Sequence, residues 1–329
     1  MVLMAAFGPA VAHAGVYAPT AGSLLSEFGA VIKGNVTGGN DWEGPAIIGG
    51  NLNAPSTFFG KGITAGSTNS QGGNAGNPGL PTGFGTVNVY GAATGNYNLN
   101  PVNGTKQIVN VAGVNNANFG QGNKDVVLNN PWSAPVTFTT IFKTLTDLST
   151  GLSGLTANNM IAPDGVFDAK PGKVNGVDGV AIFNLTGAEL NKLTNIRVNT
   201  NGASTVVINV DVGAGGGFTQ GDAVNFNHQG DDNSDRQNVL WNFFNATTNL
   251  SFKQWEGAVI APLANVSNSS PIEGDVVAAS ASKGGEYHYN PFVGTLTFLS
   301  AVAVPEPASM GLLGLGLIAA GSVRLRRKA

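Results

Sequence analysis

Ala30-Val31-Ile32-Lys33-Gly34-Asn35-Val36 and, a few residues on, Ala46-Ile47-Ile48-Gly49-Gly50-Asn51-Leu52 carry the pattern that decides the fold. Each holds two or three apolar residues followed by Gly or Asn, the residue types that enter left-handed backbone most easily. A single hairpin would use that punctuation once. Because it recurs from Leu24 to Asn53, the stretch reads as successive coils of a solenoid. Ile/Val-Ala/Gly-Pro/Asn units return in the last third, which puts small apolar residues inside a narrow solenoid with Asn and Gly at its corners. Pro262 and Pro271 fit turns or sheet edges, and Trp241, Phe243 and Phe292 fit the core or an end cap.

Composition supports a β-rich body. The chain has 329 residues, room for one large or two modest domains with a sizeable core. Charged residues make up 11% against about 25% in ordinary soluble domains, while glycine reaches 48. The recurring short runs of Val, Ile, Leu and Phe argue against disorder. Net charge is −3, which argues against nucleic acid or anionic lipid as a partner. There is no cysteine, hence no disulfide framework, thiolate chemistry or Cys-based metal site.

Along the body, residues 54–83 are rich in Gly, Ser, Asn and Pro and read as an exposed insertion. Strand signals return at Thr86–Tyr90 and Gln107–Ala112. One helix is expected from the three- and four-residue spacing of Phe138, Ile141, Phe142, Leu145, Leu148, Leu152 and Leu155, with start signals at Pro135 and Thr137 and an end at Gly151 and Gly154. Its apolar face should pack against a β core. Beyond it, Val180–Leu185 is strand-like, and Ile196–Val198 with Thr205–Val212 reads as a pair of alternating strands.

Both ends carry sorting features. Met1–Val11 is apolar, and Ala12-His13-Ala14 before Gly15 has the small-x-small form of a signal peptidase site, so residues 1–14 read as a signal peptide. Export signals normally open with Lys or Arg, and the lack of either places the true start upstream of Met1. At the other end, residues 304–329 begin with Pro305-Glu306-Pro307, continue apolar from Ala308 to Val323, and close on Arg324, Arg326, Arg327 and Lys328. A helix over 308–323 would reach ~24 Å, somewhat short of a ~30 Å hydrocarbon core, with Leu325 and snorkelling Arg and Lys stems making up the difference. The basic cluster would stay cytoplasmic, placing everything before Pro305 across the membrane. These residues resemble the PEP-CTERM sorting signal of Gram-negative envelope proteins. The resemblance implies recognition at Pro305, Glu306 and Pro307 by an exosortase, a membrane-embedded transpeptidase-like enzyme of bacteria that make exopolysaccharide.

A second resemblance spans most of residues 24–298. Gln237–Phe243, Gly257-Ala258-Val259-Ile260-Ala261-Pro262, Ile272–Ala278, Gly285-Glu286-Tyr287-His288 and Asn290–Gly294 resemble, in that order, the choice-of-anchor A domain of bacterial surface proteins with interchangeable C-terminal anchors. The expected fold is therefore mainly β: a β-solenoid body over 15–300 with one flanking amphipathic helix, followed by a transmembrane helix in the tail.

Chemistry is sparse. His228 and His288 lack the spacing of a zinc pair. Glu286 and His288 could share a strand face as a structural pair. Asp231, Asp232 and Asp235 offer oxygen donors for calcium, but not at EF-hand spacing, and a solvated turn accounts for them. No Gly-x-Ser-x-Gly elbow or P-loop occurs. No cofactor is expected. The residues point to a non-enzymatic surface or matrix protein that contacts exopolysaccharide or neighbouring surface proteins in biofilm or adhesion, passing through an inner-membrane intermediate. A β-helix polysaccharide-active enzyme is the alternative and would need paired carboxylates in a cleft. An ice- or crystal-binding face would need long Thr ranks, which Thr137, Thr139, Thr140 and Thr144 cannot supply because they fall on or near the helix.

Overall fold

The apolar runs become short strands, each closed by the Gly or Asn that follows it. The computed structural model describes residues 19–54, 58–59, 82–99, 106–120, 125–221, 225–226 and 235–299. Helix α1 (Ala21–Glu27) leads into β1 (Ala30–Ile32), β2 (Val36–Gly38), β3 (Ala46–Ile48), β4 (Leu52–Asn53), β5 (Phe58–Phe59), β6 (Val87–Val89), β7 (Ala93–Asn96), β8 (Asn98–Leu99), β9 (Gln107–Val111), β10 (Asn115–Asn118) and β11 (Val126–Asn129). Helix α2 (Phe138–Ser153) follows, then β12 (Val166–Asp168), β13 (Gly172–Val174), β14 (Val177–Thr186), α3 (Gly187–Leu190), β15 (Asn195–Asn199), β16 (Thr205–Asp211), β17 (Phe218–Thr219) and β18 (Asn225–Phe226). The last coils are β19 (Val239–Asn242), β20 (Asn249–Phe252), β21 (Trp255–Glu256), β22 (Ala258–Asn268), β23 (Ile272–Glu273), β24 (Val276–Lys283) and β25 (Tyr287–His288).

Coils stack in parallel register on three faces. On the first face the spatial order is β11, β9, β6, β3, β1, β24, β22, β19, β16, β14, with β13 closing the β14 edge antiparallel. The stack is therefore discontinuous in sequence. The amino-terminal coils grow away from β1, α2 carries the chain along the stack, and the carboxy-terminal coils return from β14 until the last one meets the first. On the second face the order is β10, β7, β4, β2, the second half of β24, the second half of β22, β20, β17. The third face holds β21, β23 and β25, with Trp42 bridging to Tyr287, and separately β12, β15 and β18, and β5 and β8.

Alternation along each first-face strand sends one residue into the solenoid and the next outward. Val109, Val87, Ala46, Ala30, Val276, Val259, Trp241, Ile208 and Phe183 form one inward column, all buried. Asn110, Asn88, Ile47, Val31, Val277, Ile260, Asn242, Asn209 and Asn184 form the neighbouring outward column. Its apolar members face α1 and α2, where Leu24, Leu25, Ile141, Phe142, Leu145, Leu148 and Leu152 are buried against them.

The asparagines of that column finish the helix. Their amides reach carbonyls in its last turn and just beyond it, adding side-chain donors to the helix's own bonds. Here Asn242 Nδ2 donates to Ser149 O at 2.9 Å, Asn209 Nδ2 to Leu152 O at 2.8 Å, and Asn184 Nδ2 to Leu155 O at 3.0 Å. The same amides bond to one another up the column, Asn242 to Asn209 at 2.9 Å and Asn209 to Asn184 at 3.0 Å. At the other end of the helix Thr137 is the N-cap, accepting from Thr140 N at 3.3 Å.

The solenoid and its flanking helix match the expected architecture, with four differences. Gly151 lies inside α2 and Gly154 alone caps it, because one glycine in a packed helix costs less than burial of the Ile141–Leu152 face gains. Residues 196–198 and 205–212 do not pair with each other. β15 and β16 lie on different faces, separated by a turn at Asn201-Gly202, where both residues adopt positive φ. Pro262 is a buried residue within β22, at the corner where the register shifts between Ala261 and Asn265. The interior is not filled by small residues throughout: Trp241 and Trp255 lie 4.9 Å apart between ring centres and Phe252 4.6 Å from Trp255, within the carboxy-terminal coils. The expected transmembrane helix falls outside the described residues. Among those described, no helix is long and apolar enough to cross a membrane.

Candidate functional site

The second face is the side of the solenoid with a repeated, solvent-facing chemistry. Register places Asn116 beside Thr94, and Leu52 beside Ala93 sets Asn53 next to Thr94. Thr37 pairs with Asn53 and with Ser282, Ser282 with Ser267, Ser267 with Ser251, and Ser251 with Thr219. The result is one rank, Asn116-Thr94-Asn53-Thr37-Ser282-Ser267-Ser251-Thr219, with one hydroxyl or amide per coil and no charge. At the ~4.8 Å spacing of paired strands it extends roughly 34 Å. Ser251 and Ser267 are half-buried and the other six are exposed.

In five of the eight coils the residue two positions earlier, Asn35, Asn51, Asn249, Asn265 or Ser280, is polar and bonds within the ladder. Asn51 N donates to Asn35 Oδ1 at 2.9 Å and Ala92 N to Asn51 Oδ1 at 2.8 Å. In the carboxy-terminal coils Asn265 Nδ2 donates to Asn249 Oδ1 at 2.6 Å and Ser280 Oγ to Asn265 Oδ1 at 2.8 Å. Corner side chains thus spend their polar groups inside the ladder; within the rank, Thr37, Ser267 and Ser282 also donate to Ala281 O, Leu250 O and Asn265 Oδ1, whereas Asn116, Thr94, Asn53 and Thr219 present exposed side chains.

Where the first and last coils meet, Lys283 points the other way, into the solenoid. Its ammonium donates to Asn40 O at 2.9 Å and Asp41 O at 3.0 Å and lies 5.0 Å and 5.1 Å from the ring centres of Trp42 and Tyr287. Burial pulls its pKa down to about 7, against the pull of Asp41 and Glu286. Gly38, at φ 94°, lies against the Lys283 backbone, where a Cβ would collide with the carbonyl oxygen.

The third face carries a charged cluster. His288 Nδ1 and Glu273 Oε1 are 2.6 Å apart, and His288 Nε2 and Glu286 Oε2 2.8 Å. Arg236 Nη1 is 2.9 Å from Glu273 Oε2, and Asn290 Nδ2 donates to the same oxygen at 3.0 Å. The hydrogen bond from Glu273, then those of Glu286 and the charge of Glu43, raise the His288 pKa to about 9 against its desolvation. Burial works to raise Glu273, but His288, Arg236 and Asn290 together bring its carboxyl below the usual range. Every carboxylate here is committed to a partner, as a structural pair would be. Asp275 is fully buried, which raises its pKa well above the carboxylate range, and its Oδ2 accepts from Phe292 N at 2.8 Å.

The structure brings Glu286 and His288 together and adds Glu273 and Arg236, which no spacing in the sequence connects. Among the described residues no group of three or more His, Cys, Asp or Glu could hold a metal. Ala12, Ala14, Asp231, Asp232, Pro305, Glu306, Pro307, Arg324, Arg326, Arg327 and Lys328 lie outside the described residues, and Asp235 is placed only as backbone of a 3-10 turn over Asp235–Asn238. Thr137, Thr140 and Thr144 serve the helix itself, by capping it or bonding within it. The rank on the second face escaped the sequence reading because its members fall one per coil, at intervals that vary with every loop.

Two family descriptions match the chain. Residues 21–289 match the "Putative Ice-binding-like adhesive domain" and residues 303–328 the PEP-CTERM protein-sorting motif. No curated protein matches the sequence. Among solved structures, the chain is similar to an ice-binding protein from the Antarctic ascomycete Antarctomyces psychrotrophicus, at 14% identity over 81% of this chain and 95% of that one, with a TM-score of 0.33. It is also similar to the DUF3494 domain of a Shewanella frigidimarina ice-binding protein, at 14% identity over 83% and 98%, with a TM-score of 0.30. Likeness at that level says nothing of what this chain binds. The sorting motif marks an exported protein of the cell surface or its surroundings, processed by an exosortase. By the match over 21–289, the chain belongs to the ice-binding-like adhesive domain family.

Proposed function

We propose that this is a non-enzymatic adhesive protein, exported with residues 1–14 as its signal and sorted through residues 304–329, whose second face contacts exopolysaccharide outside the cell. One observation carries the reading: the uncharged rank from Asn116 to Thr219 repeats a hydroxyl or amide on each of eight successive coils. A polysaccharide repeats hydroxyls along its length in the same way, and each can donate and accept against Ser, Thr and Asn. Among the described residues the rank itself holds only hydroxyls and amides, with no carboxylate pair of the kind a polysaccharide-active enzyme needs.

The test is sedimentation of the mature chain with the host's exopolysaccharide, compared with Thr94→Tyr and Ser251→Tyr, which place a ring in each half of the rank. Binding should fall at least tenfold while the melting temperature stays put. Equal binding in both variants overturns the assignment, and depolymerisation of the polymer overturns the non-enzymatic reading. For the tail, intact mass and cell fractionation with and without the sorting enzyme should differ.

Ice is the second reading, favoured by the family description together with the regular, uncharged rank. It predicts that the same two variants abolish thermal hysteresis.

A further inference from the structure

The contact rank is built from both ends of the chain. Asn116, Thr94, Asn53 and Thr37 come from the amino-terminal coils, Ser282, Ser267, Ser251 and Thr219 from the carboxy-terminal ones, and the two halves join only where Thr37 meets Ser282. That seam runs through all three faces. On the first, Lys33 N donates to Ala278 O at 2.9 Å and Val276 N to Gly29 O at 3.0 Å. On the second, Ala281 N donates to Asn35 O at 3.1 Å. On the third, Glu43 N donates to Tyr287 O at 2.9 Å, and Tyr289 lies over Gly29 and Gly44, where a Cβ on either would touch its ring.

Until the last coil arrives, one whole side of the first coil has no neighbour. Ala30, Ile32, Val36 and Trp42 are all fully buried in the finished molecule, and an open seam exposes them beside unpaired strand edges. In stacked-coil proteins each unit draws its stability from the interfaces with its neighbours. In the carboxy-terminal half, β14, β16, β19 and β22 follow one another in sequence, pack in that order, and carry α2 against β16, β19 and β22. Closing contacts between distant parts of a chain is also the slow part of folding.

We propose that seam closure is the last step of folding, so that the complete contact rank exists only in a chain exported to its end. The amino-terminal coils wait, unclosed, while the rest crosses the membrane, and an incomplete chain presents no full contact face to polymer near the inner membrane. The functional half of this rests on the adhesive reading above, whereas the folding half does not.

Pulse-labelled hydrogen exchange during refolding of the mature chain reads the folding half without any ligand. Protection should appear first at Phe243 and Val259, whose amides bond within the carboxy-terminal coils, and later, together, at the amino-terminal Ala46 and Tyr90 and the seam amides of Lys33, Glu43 and Ala281. Protection of Ala46 and Tyr90 before Lys33, Glu43 and Ala281 overturns the proposal. Gly38→Val wedges the seam at equilibrium. It should speed exchange at Ala46 and Tyr90 at least a hundredfold while Phe243 and Val259 hold. Loss at all four sites, or at none, overturns it. Failure of the polysaccharide binding test with this order intact would sink the adhesive reading alone.

Discussion

The ammonium of Lys283, from the last coil, sits 5.0 Å from the ring centre of Trp42, from the first. A buried cation needs compensation, and this one finds it in two aromatic faces and two carbonyls.

Lys283→Met keeps most of the volume but strands the Asn40 and Asp41 carbonyls. The loss should be about 1–3 kcal/mol of stability, read from the urea midpoint. No change in midpoint would show that water replaces the ammonium there.

His288 should make stability depend on pH. Its folded pKa, about 9, exceeds the ordinary 6.5, so the folded state binds the extra proton between those values. The contribution is fully present below pH 6.5 and is lost as pH rises through 9. Lys283, lowered to about 7, works in the opposite direction between 7 and 10.5, so the clean measurement is the difference between the wild type and His288→Gln. That difference should shrink across pH 6.5–9, from on the order of 1–2 kcal/mol once screening is allowed for.

Asn242 is fully buried and bonds Ser149, its hydroxyl included, and Asn209. Asn242→Leu takes the acceptor from the buried Ser149 hydroxyl and the donor from the Asn209 oxygen. Stability should drop by about 2–4 kcal/mol, and amide exchange should quicken first in the last turn of α2.

Burial raises the Asp275 pKa and so favours the neutral carboxyl, for which Asn is a close substitute. Asp275→Asn should cost less than about 1 kcal/mol, while Asp275→Leu, which deprives Phe292 N of its acceptor, should cost about 1–3 kcal/mol by thermal melts.

The coil pattern of Ala30–Leu52 and the helix from Phe138 were legible because each rests on local spacing, and the structure follows both. The meeting of first and last coils was not, since nothing within reach of Ala30 names Val276 as its neighbour. The contact rank was hidden for the same reason. Thr37, Ser267 and Thr219 look like ordinary turn-forming polar residues until register sets them side by side. The Asn column was also missed: Asn in a strand reads as punctuation, and only the helix packed over it shows that Asn184, Asn209 and Asn242 serve as donors to carbonyls.

After Tyr289 the chain does not leave from the coil it has just completed. Val293 N donates to Gln237 O, the Thr205 hydroxyl to Thr295 O, and Asn175 Nδ2 to Phe298 O, so residues 292–298 run back past β19 and β16 to the β13 hairpin. The described chain therefore ends at the β13 edge of the stack, several coils away from the junction of its first and last coils.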